Sequence, residues 1–404
     1  MKIVVVGAGQ AGASLVAKLR STGHQGEITL IGSEPELPYQ RPPLSKKYLL
    51  GEIGKERLFL RPQNFYDDQS ITLALGRSVH AVDRTAKTVT AGDRVYPYDH
   101  LVLTTGSSPR RLPKSIGGTL AGVYTMRDLA DADAMAPEFV AGRRVLIVGG
   151  GYIGLEAAAV AARMGLDVTL VEMSTRILQR VAAPQTSDYF RALHQSHGVD
   201  IKEGIGLTQL HSVDGRVSSA ALSDGSEIAV DFVIVGVGIM PQSDIAALAG
   251  LKVDNGIMVN ALGQTSDPAV WAAGDCTVFP YGTGSLRLES VQNAIDQAEA
   301  VAGNILGADQ AYIPQPWFWS DQYDVKLQIA GLNTGYDSVV TRAAPDDPKV
   351  VSFWYYEGDR LLAVDAMNDP RAYMVGKRLI ESAKSPDPAT IADPNSNLKN
   401  LLKP

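Results

Sequence analysis

Residues 145–156 read VLIVGGGYIGLE, an apolar run that breaks at three glycines and resumes as a helix-forming stretch. The chain opens on the same design, since residues 2–12 read KIVVVGAGQAG. Unbroken β-branched runs suit parallel strands covered on both faces. Each copy then keeps one order. In the first, strand Ile3–Val6 precedes a helix from Ala11 to about Arg20 and a second strand at Ile28–Ile31. In the second, Val145–Val148 precedes a helix from about Ile153 to Met164 and a strand at Val168–Val171. Strand, helix and strand at this spacing make a right-handed βαβ unit.

Gly7, Gly9 and Gly12 fit the dinucleotide fingerprint, as do Gly149, Gly151 and Gly154. The first glycine makes the tight turn, the second admits the pyrophosphate, and the third lets helix and strand pack closely. Free N–H groups at each helix start then face the phosphates. In the second copy Glu172 ends the next strand, where a carboxylate accepts from both ribose hydroxyls of NAD and repels a 2′-phosphate. Arg176 and Arg180 follow and offer charge to a pyrophosphate. In the first copy Gly32 stands at the position of Glu172, which leaves the ribose to Ser33 or Glu34.

Composition narrows the function. A net charge of −7 over 404 residues argues against nucleic-acid binding. The single cysteine, Cys276, removes internal disulfides and thiol–disulfide chemistry, and it reads as a small core residue rather than a nucleophile. Six histidines lie without partners at metal spacing, so no metal site is expected. No apolar run is long enough to span a bilayer, and no secretory leader pattern opens the sequence, so a cytoplasmic protein is expected.

The remaining segments divide the chain. HLVLTTGSSPRRLP at 100–113 and DFVIVGVG at 231–238 end their domains alike. From about Gln322 the pattern alternates as in an antiparallel meander, with an EGDR turn at 357–360 and a helix over about 371–383. The Pro-, Asp- and Asn-rich tail from Pro386 suggests an extended or loosely attached arm. The resulting fold is α/β: two Rossmann-like domains and a C-terminal α+β domain. The expected boundaries are 1–112 with 244–321, 113–243, and 322–404.

Several blocks are more specific than glycine turns: PYQRPPLSK, TTGSSPR, VDNGI, QTSDPAVWAAGDC, ESVQNA and PWFWSDQYDVKLQIAG. With them the whole chain resembles the FAD-dependent reductases that feed electrons to ferredoxins in bacterial oxygenase systems, the putidaredoxin reductase family. The resemblance implies a glutathione-reductase-like architecture. It implies FAD contacts at Ala11, Ser33, Lys46, Val79, Arg127, Asp275 and Val291, with Trp319 close to the isoalloxazine; Glu34, as the alternative ribose acceptor, and Arg41 of the proline loop are expected at the same site from the residues themselves. For NADH, Tyr152, Ile153 and Arg180 are expected beside the second glycine set. Glu156 matches a glutamate near the flavin–nicotinamide junction, where it pairs with Lys46.

The resemblance also implies a chemistry. One fingerprint holds FAD, the other admits NADH, and hydride passes to the flavin. Where the wider disulfide-reductase superfamily carries a redox-active cysteine pair, this chain has prolines and Lys46, so electrons leave the flavin directly. The implied partner is a [2Fe–2S] ferredoxin supplying a cytochrome P450 or a ring-hydroxylating dioxygenase. Docking is expected to be transient, on a basic rim drawn from Arg110, Arg111 and Arg287, by a monomer or weak dimer. The competing readings are an NADH:rubredoxin reductase and a redox-sensing flavoprotein of the apoptosis-inducing-factor kind. Acidic charge disfavours the latter.

Overall fold

Strand Ile3–Val6 is buried along its whole length, as an apolar run without alternation demands. In the computed structural model, which describes residues 1–403, it pairs in parallel with Ile28–Ile31 on one side and His100–Leu103 on the other. Ile71–Ala74 and Val270–Ala272 complete a five-stranded sheet. The second sheet follows the same plan. Arg144–Val148 lies between Asp167–Glu172 and Phe232–Val235, with Asp200–Glu203 and Val123–Thr125 outermost. The repeat therefore extends past the glycines to the closing strands. Chain order differs only at one edge: the outermost strand beside the closing strand comes late in the first sheet and early in the second.

The chain separates into two units. One comprises Met1–Arg41, Gly54–Ser108 and Ile239–Pro316; the other comprises Pro42–Ile53, Pro109–Gly238 and the chain from Trp317 onward. Two local features differ from the sequence pattern. Residues 42–53 join the second unit, because Leu49 packs in one core with Leu155, Leu327 and Phe353. The antiparallel sheet starts at Trp317 rather than near Gln322, because the aromatic segment Trp317–Gln322 is itself a strand paired with Val325–Gly331. That sheet runs on through Arg360–Met367, Asp347–Glu357 and Ser338–Ala344. Pro404, the last residue of the expected C-terminal domain, lies outside the described residues.

The helix Pro370–Glu381 is capped by Asp369, whose carboxylate accepts from the Ala372 N–H at 2.9 Å. Gly376 lets it lie close on strand Arg360–Met367, since a Cβ there would sit 2.6 Å from Val364 Cγ2. No helix among the described residues is long and apolar enough to cross a membrane.

The tail is not a loose arm. Pro388–Ala392 is helical, and Ile391 and Leu398 are buried in the C-terminal core. Arg342 on the sheet edge clasps it, donating to the carbonyls of Ile391, Asp393, Pro394 and Ser396 and to the Ser396 hydroxyl. Composition alone hid this, because one distant guanidinium satisfies the acceptors of a polar segment. Arg342→Ala is expected to lower stability by ~1–3 kcal/mol, the usual worth of hydrogen bonds from a charged donor. It should also expose the segment after Lys384 to trypsin. Unchanged denaturant midpoint and digestion would show that Ile391 and Leu398 hold the tail unaided.

Candidate functional site

The glycines of each fingerprint divide into two kinds. A Cβ on Gly7, at φ +114°, would lie 2.1 Å from the Thr104 carbonyl; on Gly149, at φ +106°, it would lie 2.4 Å from that of Gly236. A Cβ on Gly12 or Gly154 would lie 2.1 Å from the carbonyl of Gly7 or Gly149. These four are required by packing. The middle members, Gly9 and Gly151, face open space, with nothing within 4 Å of an added Cβ. Each is the N-cap of a twelve-residue helix, Gln10–Ser21 or Tyr152–Arg163, and neither helix has a side-chain cap. Two uncapped helix starts, each behind an open glycine, fit the pyrophosphates of two dinucleotides.

The groups beyond the phosphates differ between the copies. Glu172 Oε2 accepts from the Gly150 N–H and Oε1 from the Ser174 N–H, each at 2.7 Å. These bonds hold the carboxylate at the strand end beside the glycine turn, as a ribose acceptor requires. In the first unit Glu34 sits in an ion pair, with Arg41 Nη2 and the Tyr39 hydroxyl each 2.5 Å from its oxygens. Ser33 beside it is exposed and Ala11 is buried. Asp275 accepts from the Ser107 hydroxyl at 3.0 Å. The turn before it is fixed by the buried Gln297, whose oxygen takes the Gly274 N–H at 2.8 Å. Val291 opens the helix Val291–Ile305 behind its N-cap Ser290, and Val79 begins the strand Val79–Asp83.

In the second unit, helix and strand periods come into step. Tyr152 and Glu156 are four residues apart on the helix Tyr152–Arg163, a rise of about 6 Å. Phe318 and Ser320 are two apart on the strand Trp317–Gln322, a rise of about 6.6 Å. The rings of Tyr152 and Phe318 therefore meet at 5.0 Å, and Ser320 Oγ donates to Glu156 Oε1 at 2.7 Å. The alternate face carries Trp317 and Trp319, whose rings lie 5.5 Å apart. Lys46 Nζ lies 2.7 Å from Glu156 Oε2, and Ser45 Oγ donates to the same oxygen at 3.0 Å. Glu156 is 2% exposed and Lys46 15%. Lys46 sits where the turn Leu44–Tyr48 leaves helical geometry, at φ −133° and ψ −110°.

Other expected residues are placed less decisively. Ile153 and Arg180 are exposed and Tyr152 is half-buried. Arg176 is turned inward to the Ser187 hydroxyl at 2.6 Å, so Arg180 is the free-standing choice for a phosphate. Arg127 is half-buried at the N-terminal side of the helix Leu129–Met135. The basic rim needs correction. Arg110 and Arg111 are exposed, but Arg287 is 14% exposed and held 2.5 Å from Glu289, the carboxylate two residues on. Cys276 is fully buried; its thiol points at the Ala273 and Leu103 carbonyls, and burial raises its pKa.

Sequence reasoning missed Ser45, Ser107, Gln297 and Ser320. Ser45 stands next to Lys46 in PLSK, and alternation along WFWSDQ sets Ser320 on the face opposite Trp319. Both signals were therefore present, but neither residue is charged or aromatic enough to draw attention.

Fold and site together define a two-dinucleotide oxidoreductase. Residues 1–298 match the pyridine nucleotide-disulphide oxidoreductase family and residues 317–402 the reductase C-terminal family. The chain is 45% identical to a ferredoxin–NAD(P)+ reductase of a Sphingomonas species, covering 100% of this chain and 98% of that one. It is 42% identical to rhodocoxin reductase of Rhodococcus erythropolis, covering 99% and 94%. The reductase of a covalent putidaredoxin reductase–putidaredoxin complex superposes with a TM-score of 0.95 at 38% identity, covering 99% and 98%. The chain belongs to the pyridine nucleotide-disulphide oxidoreductase family, and within it is an FAD-dependent, NAD(P)H-using reductase of the ferredoxin reductase kind.

The thiol assignment has a direct check. Cys276 is expected to resist an aromatic disulfide reagent in the native protein and to react fully in denaturant. Cys276→Ser should keep most NADH-dependent dye reduction. Rapid native modification, or loss of turnover with FAD still bound, would contradict a packing role.

Proposed function

We propose that the chain takes hydride from NADH and delivers electrons one at a time to a [2Fe–2S] ferredoxin, which serves a cytochrome P450 or a ring-hydroxylating dioxygenase. The observation that carries this reading is the Lys46–Glu156 pair, in a chain whose one cysteine, Cys276, is buried and cannot form a thiol pair. FAD, when bound, supplies both the hydride acceptance and the single-electron release. The glycine turn at Gly7–Gly12, with Ala11, Ser33, Glu34, Arg41, Val79, Asp275 and Val291, holds the flavin dinucleotide. Lys46, Arg127 and Trp319 address its ring system. The turn at Gly149–Gly154, with Tyr152, Ile153, Glu172 and Arg180, holds NADH. The three-domain division at 112 and 243 follows these roles, with the last boundary moved from 321 to 316, ahead of the strand Trp317–Gln322.

The remaining work falls to charge. Lys46 stabilises negative charge on the reduced flavin, and Glu156 fixes the ammonium in place. No side chain is needed as a general acid or base for the hydride step. The partner is met in a short-lived encounter by a monomer or weak dimer in the cytoplasm. Arg110 and Arg111 supply exposed positive charge for that encounter, in a chain whose acidic balance repels nucleic acid.

Coenzyme choice tests the placement of Glu172. A 2′-phosphate forfeits a ribose–carboxylate bond and meets a like charge, costing NADPH ~2–4 kcal/mol. NADH should therefore exceed NADPH in kcat/KM by roughly a hundredfold in ferredoxin-dependent cytochrome c reduction. Equal values would remove Glu172 from the ribose site.

A further inference from the structure

Glu156 is the end of a longer buried chain of hydrogen bonds within the second unit. Ser320 Oγ donates to it at 2.7 Å, and Gln322 Nε2 donates to Ser320 Oγ at 3.1 Å. His194 Nε2 lies 2.7 Å from Gln322 Oε1, and the Tyr323 hydroxyl lies 3.1 Å from His194 Nδ1. Ser320, Gln322 and His194 are fully buried. Tyr323 is half-buried, and its ring stacks on the exposed His197 at 3.7 Å and 12°. The chain thus runs from the surface to the ion pair, passing through the helix Pro184–Ser196 and the strand Trp317–Gln322.

Its direction follows from the chemistry of its members. A carboxylate paired with an ammonium only accepts, so Ser320 gives its hydrogen to Glu156 and must accept from Gln322. That turns the Gln322 nitrogen to Ser320 and its oxygen to His194, so His194 Nε2 carries a hydrogen. Burial lowers the His194 imidazole to about 4, which leaves a neutral ring at pH 7. Its Nδ1 therefore accepts from the Tyr323 hydroxyl. Every donor points toward Glu156.

An amide in the middle makes this chain a poor path for protons, because glutamine passes none while it stays an amide. Aligned donors ending on one carboxylate act instead through their dipoles, and each bond polarises the next. We propose that His194 and Gln322 are positioning residues: they lock Ser320 as a donor, which fixes the Glu156 carboxylate and through it the Lys46 ammonium. This rests on the reading that Lys46 and Glu156 act at the flavin.

The test uses the FAD-loaded protein with Gln322→Leu, His194→Leu and His194→Gln, each with and without Glu156→Gln, and Lys46→Met as control. Three quantities are read: the limiting rate of flavin reduction in stopped flow, the Kd for NADH, and the flavin midpoint potential from dye equilibration. Gln322→Leu and His194→Leu are expected to slow the limiting rate about fivefold, the factor of one lost hydrogen bond. They should lower the potential while leaving the Kd unchanged. His194→Gln, which keeps a donor toward Gln322, should restore both, and in the Glu156→Gln background the effects should vanish. Gln322→Leu, close in volume, carries the test if His194→Leu does not fold. Equal losses in both backgrounds, or an unchanged rate and potential in Gln322→Leu, overturn the proposal. If Lys46→Met also leaves the rate unchanged, the reading of the ion pair falls with it; if Lys46→Met alone is slow, that reading stands.

Discussion

A carboxylate taken out of water must meet opposite charge and donors, or its desolvation is left uncompensated. Glu156 is 2% exposed, and its surroundings are organised around that constraint. One oxygen takes Ser320, while the other takes Ser45 and Lys46. Three segments far apart in sequence are therefore tied to one side chain: the proline loop, the helix after the second glycine turn, and the first strand of the antiparallel sheet. Removing one partner of such a pair costs about 3–5 kcal/mol, whereas an apolar replacement of both is often neutral. Stability alone does not account for keeping the charges. The role proposed for Lys46, a fixed ammonium at a site of charge transfer, would.

The two glycine turns meet the opposite demand. There two helices start without a side-chain cap, behind glycines that leave open space in front of them. Four glycines are compelled by contacts within the fold, and the two open ones leave room for a ligand. Steric necessity and ligand access thus fall to different glycines of the same motif.

Much of this was legible in the sequence, for reasons that differ by element. The parallel sheets were readable because IVVV and VLIV admit no alternation, and the glycines because their spacing matches a strand–turn–helix. The Lys46–Glu156 pair came from resemblance, since no local pattern joins residues 110 positions apart. The start of the antiparallel sheet was misread because three aromatics in a row mask the alternation that Ser320 and Gln322 continue. The tail was misread because its anchor, Arg342, lies on another strand. Arg287 looked like a free surface charge, but Glu289 neutralises it. The missing information was a run of aromatics at the sheet start, a partner distant in sequence for the tail, and a carboxylate only two residues away for Arg287.

In the proposed function electrons leave the flavin directly and singly, without a thiol relay. An anaerobic mixture of the FAD-loaded protein, excess oxidised [2Fe–2S] ferredoxin and a limiting amount of NADH tests it by absorbance. Two reduced ferredoxins are expected for each NADH consumed. NADH consumption with no reduced ferredoxin would contradict it.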